Sequence, residues 1–186
     1  MKAVLLVGLF AFASCAAPQV VGARLPSRTL QGTDGAAHVL PSPSAKLTVL
    51  EFFSDHCPCQ AAHDARLRDL YARYHPSGVE FFAVDSENAA SLERDGALAA
   101  ARHYPYPILV DRGAGLAWAV GATSATETLV VDRDGTVQYQ GGIDSDRSHL
   151  RDDATPYLRD AIDDLLGGHL PRQSASKALG CALQTR

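Results

Sequence analysis

The chain changes character abruptly at residue 54, and that junction limits what it can fold into. Residues 47–53, LTVLEFF, are apolar except for Thr48 and Glu51, and SDHCPCQAAH follows directly. A short apolar run bounded by turn chemistry predicts a buried central strand. Beyond it, His63, Leu67, Leu70, Tyr71 and Tyr74 recur at three- and four-residue spacing, which marks one face of a helix that Pro76 and Gly78 stop. Pro58 suits the first helical position, where its missing N–H costs nothing and its fixed φ is already helical. Cys57 then falls at the cap and Cys59 at the second helical residue. A helix start carries unpartnered N–H groups and positive potential, so a thiol placed there loses its proton readily and becomes a nucleophile near neutral pH. His56, the preceding residue, would strengthen this effect if protonated.

At 186 residues and 46% apolar composition there is room for one domain with a proper core and hardly for two. The net charge of −4 arises from intermixed charges, with no basic stripe to track a phosphate backbone, so nucleic acid is excluded as an expected partner. Four cysteines, at 15, 57, 59 and 181, are too few for a disulfide scaffold and form no pair of zinc-type arms. Cys15 belongs to the N-terminus. Lys2 is followed by an apolar stretch over residues 3–13, about half the length of a membrane span, which predicts an export signal over residues 1–15. Ala13 and Ser14 before Cys15 resemble the bacterial lipoprotein signal, whose cysteine becomes lipidated; cleavage after Ala13 is the alternative. Both lead to the bacterial cell envelope or periplasm, where disulfides persist, with membrane contact only through a lipid at Cys15.

Residues 16–27 lack periodicity and read as a tether. A single domain is expected over 28–168, followed by a polar tail, 169–186, that carries Cys181. The domain opens with a hairpin around Gly32-Thr33-Asp34-Gly35. After the central strand and its helix come a strand over 79–84, a helix over 89–103, a short strand over 108–110, a small helix over 115–120, and strands over 127–131 and 136–139 joined at Asp132-Arg133-Asp134-Gly135. A last helix begins at Thr155-Pro156, read as a cap followed by an N1 proline, and buries Leu158, Ala161, Ile162, Leu165 and Leu166. Alternating strands and helices with a closing hairpin and helix predict an α/β fold, a central mixed β-sheet flanked by helices in thioredoxin-like order, with an N-terminal β-hairpin. Trp118, Phe81 and Phe82 read as core, and Asp144, Asp146, Asp152 and Asp153 as a solvated loop before the last helix.

RTLQGTDGAAHVL, LTVLEFFSDHCPCQ, GVEFFAVDSE, YPILVD, TLVVDRDGTVQYQGGID and ALGCALQ together resemble the redoxin branch of the thioredoxin superfamily, close to the alkyl hydroperoxide reductase and thiol-specific antioxidant group. The resemblance makes Cys57 the attacking or peroxide-reactive cysteine. It places Glu51 where thioredoxins keep a buried proton-relaying carboxylate and Ser54 at the hydroxyl position of the peroxiredoxin motif. Three positions depart from the pattern. Leu50 replaces a proline of that motif, Thr126 stands where thioredoxins have a cis-proline and peroxiredoxins an arginine, and Cys59 comes one residue earlier than in Cys-x-x-Cys.

Glu51 inside an apolar run should be desolvated with a raised pKa, unless it reaches solvent at a strand end. Thiol–disulfide exchange also needs a resolving thiol. Cys59 is nearest, but residues two apart on a regular helix point about 200° from each other, so a bond to Cys57 would distort the first turn. Cys181 is the other choice, if the tail folds over the helix start and is not idle. A competing reading groups Cys57, Cys59 and His63 as copper or zinc ligands, since Cys59 and His63 share a helix face. The expected protein is an exported thiol-dependent oxidoreductase with no cofactor, acting on a thiol or disulfide partner protein or on peroxide.

Overall fold

The computed structural model describes residues 20–185; the expected signal segment and Cys15 lie outside them. Seven strands form one sheet in the order β2-β1-β5-β4-β3-β6-β7. The hairpin β1 (Arg28–Gly32) and β2 (Ala37–Leu40) occupies one edge. At the centre β3 (Leu47–Phe53) runs parallel to β4 (Val79–Asp85) and antiparallel to β6 (Glu127–Asp132), and all of its residues are buried. The parallel β3–β4 pair requires a crossover, which α1 (Pro58–Tyr74) supplies. β5 (Ile108–Val110) continues the parallel set, and β7 (Val137–Gly142) closes the far side.

Side chains of β3 alternate between two apolar layers. Val49 and Phe53 meet Leu67 and Tyr74 of α1 together with Leu158 and Ile162 of α4 (Tyr157–Leu166), with Leu98 and Ala99 of α2 (Leu92–Ala101) packed alongside. Leu50 and Phe52 meet Leu116, Ala117 and Val120 of α3 (Gly115–Val120). Each fully buried Leu or Phe removes enough apolar surface to contribute about 1.5–3 kcal/mol before entropy is counted. Glu51 shares the face of Val49 and Phe53, beneath α1. The site therefore forms at the carboxyl ends of β3 and β4, where ligands of open α/β sheets gather.

Four expectations are corrected. The helix predicted over 89–103 is shorter, with Ser91 as its cap accepting from Arg94 N–H. In α4 the cap is Pro156 itself, because Thr155 is tied through its backbone to Ser145. Trp118 is 58% exposed, since the short α3 turns Leu116, Ala117 and Val120 inward instead. Asp144 and Asp146 are buried, not solvated, for reasons given below.

Both chain ends are structured where described. Residues read as a tether run beside β7: Gly22 N–H donates to Val137 O, Val137 N–H to Ala23 O, and Leu25 is buried. On the same strand, Gln140 N–H donates to Ser174 O and Ser176 N–H to Gln140 O. The two ends thus cover an edge that would otherwise present free backbone groups.

Candidate active site

Cys57 caps α1 with φ −86° and ψ 114°, Pro58 follows at the first helical position, and the cysteine is 1% exposed. Opposite it, the segment before β6 turns through Thr126 at φ 63°, whose N–H donates to Phe52 O at 2.8 Å. Onto this segment the C-terminal tail pairs as a short antiparallel strand. Ala125 N–H donates to Cys181 O at 2.8 Å, Leu183 N–H donates to Thr123 O at 2.9 Å, and Ser124 faces Ala182. Gly180 makes the approach possible, because a Cβ there would lie 1.7 Å from the Ala125 carbonyl oxygen. Further on, Gln184 N–H donates to Glu87 Oε1 at 3.1 Å and Asn88 N–H to Gln184 O at 2.9 Å.

This lacing carries Cys181 across 124 residues to Cys57, and Cys181 N–H donates to Cys57 Sγ at 3.2 Å. The sulfurs of Cys57, Cys59 and Cys181 all lie within 4.8 Å of one another, and all three cysteines are free. The 200° separation expected of Cys57 and Cys59 holds only if both are helical. Cys57 is extended, so its sulfur comes nearer to Cys59 without breaking the turn.

Burial opposes ionisation of Cys57, but the Cys181 thiol and the N–H groups of Gln60, Cys181 and Cys59 outweigh it, and the thiol ionises below its ordinary range. The sulfur closes no regular capping bond with its own helix, so Gln60 and Cys59 act as nearby dipoles and Cys181 as the direct donor. The Cys57 sulfur in turn pushes the Cys181 thiol up to about 12, with burial adding to the shift. Of the two thiols, Cys57 is the one that ionises first, and Cys181 keeps its proton. No hydrogen bond joins His56 to Cys57 among the described residues. Its ring lies 3.0 Å from Asp55 and 3.5 Å from Glu87, with the buried Ser54 hydroxyl 3.3 Å from Nδ1. Ser54 is thus engaged with His56, and Thr126 contributes backbone curvature and a buried hydroxyl beside Gly180.

Glu51 is 2% exposed, and neither carboxyl oxygen has a hydrogen-bond partner among the described residues. It stands mid-strand, between Ala83 of β4 and Thr128 of β6, which rules out the solvent-reaching alternative. Burial first, then the Asp64 charge, raise its pKa well above the usual carboxyl range, and Cys57 adds in the same direction. Sequence reasoning missed the polar groups around it. Gln60 Nε2 donates to Tyr104 OH at 3.2 Å, Tyr104 OH donates to Asp64 Oδ1 at 2.5 Å, and Arg102 lies 3.5 Å from Asp64 while covering the Phe53 ring. Gln60 and Asp64, four apart on α1, carried the only available signal.

His63 leaves the proposed metal set. Its Nδ1 donates to Cys59 O at 2.7 Å and its Nε2 meets Asp144 Oδ1 at 3.1 Å. Burial disfavours its charge, but the Asp144 carboxylate and the Cys59 carbonyl more than offset this and raise its pKa. A ring whose Nδ1 donates to a carbonyl and whose Nε2 faces a carboxylate has both nitrogens engaged and none left for a metal. Asp144 also binds Arg66, and Asp146 binds Arg66 and Arg151, which explains the burial of that loop.

Fold and site define a thioredoxin-like protein with an acidified thiol at a helix start. The redoxin family model matches residues 20–154, and the chain belongs to the redoxin family, thiol oxidoreductases in general. That match ends before the tail that carries Cys181. No curated protein matches the chain. Among solved structures, it is similar to an uncharacterized conserved protein from Geobacillus kaustophilus, with 28% identity, TM-score 0.82, and 96% of this chain and 97% of that one covered. A hypothetical protein from Sinorhizobium meliloti is 26% identical, with TM-score 0.80 and coverage of 88% and 93%. A PrxQ mutant from Xylella fastidiosa, at 13% identity, TM-score 0.61 and coverage of 82% and 96%, shares the fold.

Proposed function

We propose that the protein carries out thiol–disulfide exchange through Cys57 and Cys181, with Glu51 moving protons. The observation that carries this reading is the Cys181 N–H on the Cys57 sulfur, with an acidified thiol beside one that holds its proton. The Cys57 thiolate attacks one sulfur of a partner disulfide, the partner S–S bond breaks, and the leaving sulfur takes a proton. Cys181 then attacks the Cys57 sulfur of the mixed disulfide. The Cys57–Cys181 bond forms, the second partner sulfur leaves as a thiol, and the partner is reduced by two electrons while the protein is oxidised by two. Of the two protons that the partner takes up, Cys181 supplies one and the buried Glu51, whose pKa is raised well above the carboxyl range, relays the other. Peroxide reduction is the less favoured reading, because Thr126 occupies the arginine position and no guanidinium is hydrogen-bonded to Cys57 among the described residues. We place the activity in the bacterial envelope, on the strength of the signal pattern ending at Cys15.

The test is trapping with a small disulfide such as oxidised glutathione, read by mass spectrometry. Cys57→Ser should form no adduct, and Cys181→Ser should accumulate a mixed disulfide at Cys57 that the native chain clears. Accumulation in Cys59→Ser instead would move the resolving role to Cys59. Consumption of peroxide without exchange would overturn the choice of reaction.

A further inference from the structure

We propose that the reduced protein binds one Cu(I) ion through the sulfurs of Cys57, Cys59 and Cys181, at a three-thiol site that the tail completes. Three sulfurs from two distant parts of the chain already converge within 4.8 Å of one another. A cation held about 2.3 Å from each of three sulfurs in one plane keeps them about 4 Å apart, so closing the site takes less than an ångström of movement. Soft thiolates select Cu(I), zinc or iron–sulfur clusters. Zinc in structural sites takes four ligands, and among the described residues no fourth donor joins this group. His63, the ligand expected from sequence, is committed to Cys59 O and Asp144. A planar three-coordinate d10 cation needs no fourth donor, which favours Cu(I).

Two further features suit such an ion. The start of α1 and the Cys181 N–H offset the negative charge that three thiolates gather. The third arm is held by backbone pairing, not by its side chain, because Gly180 lies flush on Ala125 and Cys181 O accepts from Ala125 N–H. Ligating thiols must be deprotonated, so uptake releases protons and strengthens with pH. The same sulfurs cannot hold copper and a Cys57–Cys181 disulfide together, so oxidation would release the ion.

The experiment is an anaerobic titration of the reduced full chain with Cu(I) against the chromophoric chelator bicinchoninate, followed by X-ray absorption at the copper edge. One ion per chain with three sulfur ligands is expected. Cys181→Ser should lower affinity at least tenfold and leave two sulfur ligands. Gly180→Ala should also weaken binding, although it removes no ligand, and circular dichroism of both variants checks that the domain is intact. Native-like affinity in Cys181→Ser, failure of the native chain to take copper from the chelator, or tighter binding of zinc would each overturn the proposal. The exchange activity is read separately by glutathione trapping and could stand if this site fails.

Discussion

Glu51 and His63 lie equally deep, each 2% exposed, and on facing elements, yet their surroundings are opposite. His63 uses both ring nitrogens and sits in a chain of charges through Asp144, Arg66 and Asp146 to Arg151. Among the described residues, Glu51 has no hydrogen-bond partner on either oxygen. A buried ion with its pairing complete holds elements together, here α1 against the loop before α4. A buried acid without pairing costs stability and is kept neutral, which is the condition for moving a proton. Depth alone does not separate structural from functional groups; the state of their hydrogen bonds does.

The strongest way to break this comparison is to remove Asp144. Asp144→Ala leaves His63 and Arg66 without their shared carboxylate, and breaking a buried pair of this kind costs about 3–5 kcal/mol. Urea unfolding at neutral pH measures it. A loss below about 1 kcal/mol would mean that the cluster contributes little to the fold.

Glu51→Gln sharpens the other side. The amide needs no proton taken up on folding, whereas the acid at neutral pH is ionised in the unfolded chain and held toward its neutral form in the folded one, so Glu51→Gln should stabilise the protein by about 1–3 kcal/mol. The same change should slow exchange by about 10²-fold, the lower end of general acid–base contributions. Greater stability with unimpaired exchange would leave Glu51 without the relay role.

A smaller effect separates the two groups by pH. Glu51 has a folded pKa raised above 4.5, so the unfolded state loses its proton first and stability falls as pH rises from about 4.5 toward the folded value. Glu51→Gln should lack this contribution to the decline. His63 has a folded pKa raised above 6.5, so its contribution is complete below 6.5 and is lost as pH climbs through the folded value. Asp64, Asp85 and Asp95, also raised by burial, cost stability over the same range, so melting temperatures from pH 4 to 9 should show a shallower first decline in Glu51→Gln and a shallower second decline in Asp144→Ala.

Much of the architecture was legible because it is local. The apolar run 47–53, the proline at 58 and the turn at 132–135 each act within a few residues, and β3, β5 and α3 fall at the predicted bounds. Cys57 at the cap followed from the same logic. Trp118 and the Asp144 loop were misread for a shared reason. Their burial depends on which neighbours arrive, and the Arg66 and His63 that bury Asp144 come from α1, some eighty residues earlier.

The amino-acid sequence by itself determined where strand gives way to helix and that a thiol stands at the cap, because capping and helix dipoles operate over one turn. Only the tertiary structure decided that Cys181 meets Cys57, that His63 turns to Asp144, and that no described residue hydrogen-bonds the Glu51 carboxyl. Those outcomes depend on backbone pairing between the tail and the segment before β6, and on close packing beneath α1. Both are contacts between residues far apart in the chain, whose register no local pattern encodes.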